Sequence, residues 1–505
     1  MESKSRTENS IRNVIIGFAL HIFTLCLSFV VKTIFIKVLG SEYLGIKDLY
    51  SNILMILSLT DLGIGNAIIF CIYKPVAEGN TKKISALMCY YKKCLNIICI
   101  IVLFVGIGFI PFLKYIVNAS LSQRELIIYY LLFLFNTVAS YLFSYRAIII
   151  SANQEMYLQK ICYSIICIIK SALEIIVILF LKSFLMYLII DILSTLLFNI
   201  TVSTVAQVRY PYIREKVNLS HKEKKEILNN IKAMLPYKIG YVILYNTDNI
   251  LLSILVGTIA VGYFSNYMTI ILAISEFANI VIRSLQYSVG NFNVNADSER
   301  KFKLFKKLQF LSFWIYGVTG ICLYILLNDF ITLWIGEKFL LSQPVILINI
   351  INYYYLGIYN IISIFRETTE LFKKTKYVML ITAILNIVFS IILGSKFGLF
   401  GIILGTIISY WLTLYWYEPY CLYKIYFKKN FKGYIITSLK QLVCLLICGL
   451  MMFVFMDYFV PSNFLLFFVK AFMCFIITNF LMFLFNIKSK DFWEIFTILK
   501  NKFLK

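Results

Sequence analysis

Fourteen ionisable side chains, seven basic and seven acidic, fall inside long apolar runs of this 505-residue sequence. Each such group costs at least about 2.5–3.5 kcal/mol to insert, so it faces a protein interior or a water-filled cavity. His21, Thr24, Ser28 and Lys32 recur at three- to four-residue spacing, as do Lys238, Tyr241, Tyr245 and Asp248, which gives each run one polar helical face. Lys170 and Glu174 stand one turn apart, and other runs carry Ser58 with Asp61, Asp191, and Glu276, with Arg283 beyond it toward the cytoplasm and counted with the inner segment. In a half-solvated, low-dielectric vestibule an ammonium group compensates phosphate charge strongly. Lys32, Lys170, Lys238 and Arg283 are therefore the candidate anion-binding residues, and Asp61, Glu174, Asp248 and Glu276 the candidates for coupling to H⁺ or Na⁺. The plainer alternative is that Lys170 and Glu174 neutralise each other and only fix helix register, and that Lys470 snorkels. Two histidines and twelve cysteines without a paired CxxC spacing indicate neither a metal site nor a disulfide framework.

The elements that hold these groups are transmembrane helices. Of the residues, 61% are hydrophobic and 14% charged, against about 45–50% and about 25% in soluble domains, so lipid must be most of the solvent. A helix needs about 20 mostly apolar residues to cross about 30 Å of hydrocarbon. Fourteen runs qualify, at 14–38, 44–72, 94–113, 125–145, 161–181, 184–208, 235–256, 261–288, 308–328, 344–364, 377–394, 398–423, 434–456 and 463–487. The expected fold is an all-α polytopic membrane protein with 14 spans. The first run carries Lys32 and no small-residue cleavage site, which reads as a retained helix.

The net charge of +23 would suggest nucleic acid in a soluble protein. Here it reads as topology: with the N-terminus placed in the cytoplasm, 36 Lys and Arg fall on inner segments, five outside and seven in spans. Both termini are then cytoplasmic, and no nucleic-acid partner is expected. The longest outer loop is 329–343, too short for the outer catalytic domain that a polysaccharide polymerase or ligase would need. No GxxxxGK[ST] run is present and no segment could house an ATPase. The reading is a transporter without catalytic residues or cofactor, drawing on an ion gradient or the membrane potential.

Segment 39–58 aligns without gaps on 256–275, matching Gly40 with Gly257, Gly45 with Gly262, Tyr50 with Tyr267 and Ser58 with Ser275 at an offset of 217. Arg146 and Tyr157 match Arg366 and Tyr377 at an offset of 220. A duplication of six spans follows, with an N-lobe at 1–208, a basic inter-lobe linker at 209–234, a C-lobe at 235–423, two appended spans at 434–487 and a tail at 488–505. Gly394, Gly398, Gly401 and Gly405 are spaced for close helix contact.

The stretches VLGSEYLGIKDLYSNILMILSLTDLGIGNAI (38–68), IYKP (72–75), SANQ (151–154) and LYNTDNILLSILVGTIAVGYFSNY (244–267) resemble the Wzx-type flippases of the polysaccharide transport family, within the MOP exporter superfamily. The resemblance implies two lobes around a central cavity, in the bacterial cytoplasmic membrane. It implies an undecaprenyl-diphosphate-linked oligosaccharide repeat unit as substrate, moved by alternating access for capsule, O-antigen or related polysaccharide. Membrane lipids and a polysaccharide polymerase or chain-length regulator are the partners it implies, for a chain acting as a monomer. Lys32 takes a place that relatives often fill with arginine, without the bidentate geometry arginine brings. The alternative is another exporter of the superfamily, for lipid II or for cationic drugs; the latter would rely on acids in an apolar pocket, which the cavity lysines disfavour.

Overall fold

The computed structural model describes residues 6–58, 64–284, 297–368, 371–456, 458–489, 492–494 and 497. Among them no strand occurs, and ten helices are long and apolar enough to cross a membrane, with a shorter apolar helix at Ala67–Ala77. The protein is a multi-pass, all-helical membrane protein. Eleven of the expected runs fall on those ten helices, because two of them share the continuous stretch Val378–Phe427. The other three fall on α1 (Arg6–Val38), on the pair α2 (Ser41–Leu57) and α3 (Ile64–Ala77), and on α8 (His221–Leu255). The run 44–72, expected as one span, is thus two helices. Between the two apolar stretches the sequence 58–66 reads SLTDLGIGN, whose Ser, Thr, Asp, Asn and two glycines a span count by length passes over, and Asp61 lies outside the described residues.

The chain divides into two compact units, Met1–Gly262 and Tyr263–Lys505. In the first, α1 lies along α6 (Met156–Leu181), α6 pairs with α7 (Phe184–Arg209), and α7 with α5 (Gln123–Tyr141); α3 packs on α4 (Thr81–Phe109) and α8 on α2. Two helices begin with the same device. Ser122 and Ser220 each cap a backbone N–H while Glu125 and Glu223, three residues on, reach back to the cap. The second of these makes 221–234, expected as linker, continuous with the helix below it.

The repeat is visible as a reciprocal contact within this unit. A Cβ on Gly45 would sit 2.0 Å from the Thr258 carbonyl oxygen, and one on Gly262 would sit 2.1 Å from that of Ser41. Thr258 is the offset-217 counterpart of Ser41, as Gly262 is of Gly45. The starts of α2 and of α9 (Thr258–Ser284) therefore meet backbone to backbone through a local two-fold relation, and only glycine permits that approach.

In the second unit α10 (Ser298–Trp334) packs against α11 (Gln343–Thr368), α14 (Lys432–Met456) and α15 (Phe464–Asn486). Helix α12 (Val378–Leu412) turns at Gly398, where φ 57 and ψ −136 suit glycine and strain other residues. The two arms meet closely: a Cβ on Gly401 would lie 2.1 Å from the Leu393 carbonyl oxygen, and one on Gly405 2.6 Å from the Ser390 nitrogen. The glycine spacing read from the sequence is therefore a packing device. Lys470, expected to snorkel, instead lies buried on α15 and bonds Asp329 of α10 at 2.7 Å. An acid on the neighbouring helix outcompetes the distant headgroups.

Candidate functional site: an intramembrane charge cluster

The turn between α6 and α7, at Lys182 and Ser183, sets the geometry of the site. Lys182 adopts φ 47 and the Ser183 hydroxyl accepts from the Met186 N–H, so the chain reverses within two residues. Glu174 and Asp191 stand eight or nine residues either side of that turn. At 1.5 Å of rise per residue both reach about 13 Å from it, close to the middle of about 30 Å of hydrocarbon. The turn at Gly40, φ 93, does the same for Lys32 on α1 and Lys47 on α2, at about 11 Å.

These levels coincide in space. Lys170 of α6 bonds the Asp191 carboxylate of α7, whose other oxygen accepts from Asn136 Nδ2 of α5 at 2.7 Å. Lys170 Nζ also lies 3.7 Å from Glu174 Oε1, an ion-pair contact beyond hydrogen-bond length. From α2, Lys47 Nζ donates to the Tyr187 hydroxyl at 2.5 Å and stands 4.8 Å from the centre of that ring. Glu174, Asp191 and Tyr187 all act on Lys47 electrostatically. Lys32, half-buried, has Asp48 and Lys47 as its charged neighbours. Four helices thus converge two ammonium groups, two carboxylates, a phenol and an amide. The Lys170 and Asp191 side chains keep 29% and 21% of their surface accessible, whereas Glu174 keeps 4%. Hydrocarbon alone would not solvate an ion pair left this accessible within the spans.

Of the candidates expected from the sequence, Lys170 and Glu174 lie in the cluster and Lys32 at its margin; the plainer alternative for Lys170, a pair with Glu174 on its own helix, misses its main partner. Its short bond runs across to Asp191, because the hairpin offers a carboxylate at better range than the i+4 position does. Lys47, Asn136 and Tyr187 were not among the candidates, and Asp191 was noted without a role. Equal distance from a tight turn is the signal that joins Lys32 to Lys47 and Glu174 to Asp191. Lys238 and Asp248 are half-buried on α8, outside the described contacts of the cluster, and Glu276 is exposed on α9 in the second unit. The Arg283 side chain, like Asp61, lies outside the described residues.

The repeat-related arginines each tie down a helix end. Arg146 Nη1 donates to Ser203 Oγ on α7 at 2.6 Å. In the second unit Arg366 is buried 3.5 Å from Glu418 of α13 (Leu414–Cys421), which also accepts from the Tyr359 hydroxyl at 2.8 Å. Among the described residues no group of His, Cys, Asp and Glu could hold a metal ion.

No protein-family model and no curated protein matches the sequence. Solved structures do. "Lipid II flippase MurJ, inward closed conformation" is similar over 94% of this chain and 99% of its own, with a TM-score of 0.71 and 14% identity. An inward-facing multidrug-resistance MATE family transporter of the MOP superfamily is similar over 77% of this chain and 92% of its own, with a TM-score of 0.60 and 13% identity. The Vibrio cholerae MATE transporter VcmN covers 84% and 99%, with a TM-score of 0.58 and 13% identity. This multi-pass chain therefore has the fold shared by MurJ and the MATE transporters.

Proposed function

We propose that this protein is a flippase that carries an undecaprenyl-diphosphate-linked oligosaccharide repeat unit across the cytoplasmic membrane for surface polysaccharide synthesis. The observation that carries the reading is the accessible Lys170–Asp191 pair at mid-membrane depth, with Lys47 beside it. Partly accessible ammonium groups within the spans suit a diphosphate, and they disfavour a cationic drug as cargo. Two negative charges leaving a negative interior gain about 4–5 kcal/mol per 100 mV, so the membrane potential suffices as drive. The bias of basic residues to one set of loops supports cytoplasmic termini, and those loops would offer entering diphosphate an attractive rim. In this reading transport proceeds by alternating access.

A second reading is a lipid II flippase. It is favoured by the 94% of this chain that MurJ covers, against 77% and 84% for the MATE transporters. Both readings share a polyprenyl diphosphate and differ in the sugar. Deleting the gene separates them: loss of a surface polysaccharide, with its lipid-linked unit retained on the inner leaflet and peptidoglycan synthesis intact, supports the first. Arrested peptidoglycan synthesis supports the second.

A further inference from the structure

Glu174 is the less satisfied of the two carboxylates in the cluster. Its Oε1 is buried and takes no hydrogen bond, and its nearest cation is 3.7 Å away. Asp191, by contrast, has a short bond from Lys170 and another from Asn136. The groups that face Glu174 are Lys170 on its own helix, Asp191 and Tyr187 on α7, and Lys47 on α2. From α1, packed along α6, the nearest described cation at this level is Lys32.

We propose that Glu174 is a proton site linked to anion binding, taking up one proton when a phosphate or diphosphate group is held between Lys47 and Lys170. The inference rests on the anionic cargo proposed above and adds its proton bookkeeping. With both carboxylates ionised, Lys47, Lys170, Glu174 and Asp191 sum to zero, and Lys32 with its neighbour Asp48 adds no net charge. An arriving diphosphate makes the site negative, and one acid must yield. Protonating Asp191 would break two good bonds, whereas protonating Glu174 relieves an oxygen that has none and creates an O–H able to donate to the anion. The anion and the proton therefore promote each other's binding, and the coupling is reciprocal. A cationic cargo competing for the same carboxylate would show the opposite sign.

The test is calorimetry on the full-length protein in nanodiscs, titrated with inorganic pyrophosphate and, separately, with farnesyl diphosphate. Buffers of different ionisation enthalpy count the protons taken up. The wild type should take up about one proton more than Glu174→Gln, and its affinity should fall up to tenfold per pH unit above the titration of Glu174. Glu174→Gln should bind with little dependence on pH, and Glu174→Asp should restore the linked proton, which a purely structural role would not do. Binding of farnesyl diphosphate alone identifies a lipid-linked ligand; binding of both identifies the shared phosphate chemistry. Anion binding with the same proton count in the wild type and Glu174→Gln overturns this inference and leaves the cargo reading standing. Failure of both probes to bind the wild type overturns the two together.

Discussion

At the scale of single residues, the cluster owes its character to an imbalance that substitutions should expose. Removing one partner of a mostly buried ion pair leaves an uncompensated charge, which costs more than the pair contributes. Lys170→Met should therefore lose about 3 kcal/mol of stability, read as a lower thermal midpoint in detergent. Adding Asp191→Leu should recover most of that loss, because a matched apolar pair replaces a buried ion pair at little cost. Transport should stay abolished in the double variant. Recovery of transport together with stability would mean that the pair only holds helices in register. Lys170 and Glu174 were legible in the sequence because a charge in an apolar run announces itself. Lys47 was not, since it stands near the start of its run and reads as an edge residue until the Gly40 turn brings it level with Lys32.

At the scale of elements, glycine sets how closely helices approach. Gly45→Ala and Gly262→Ala should each destabilise by about 1–3 kcal/mol, since the added carbon would meet a backbone carbonyl that cannot rotate away. Their repeat relation predicts similar effects at the two sites, measured as paired shifts in thermal midpoint. A neutral result at one site would break the local symmetry argument. Gly398→Ala should cost about 1–2 kcal/mol through its positive φ alone. The offset of 217 carried the glycine pairing in plain view, and the polar, glycine-containing stretch 58–66 stood directly after α2, but a count of apolar residues over 44–72 averaged it away.

For the whole molecule, composition settled the membrane fold, because a chain with this little charge cannot cover itself for water. The candidate site was less legible: its members come from four helices and meet only through two tight turns, a relation no window of sequence contains. The charge asymmetry makes a separate prediction. A C-terminal fluorescent-protein fusion should fluoresce, and an alkaline phosphatase fusion at the same point should be inactive; the reverse pattern would invert the topology. The central claim is that the mid-membrane lysines carry a lipid-linked diphosphate across. Purified protein in liposomes with an imposed potential, supplied with a polyprenyl-diphosphate-linked oligosaccharide, tests it most directly through the exposure of the sugar on the far leaflet. Wild-type protein should speed that exposure well beyond protein-free liposomes, and Lys47→Ala or Lys170→Ala should slow it at least about tenfold, the loss of roughly 1.4 kcal/mol. Equal rates with and without the protein, or wild-type rates in both variants, would contradict the account.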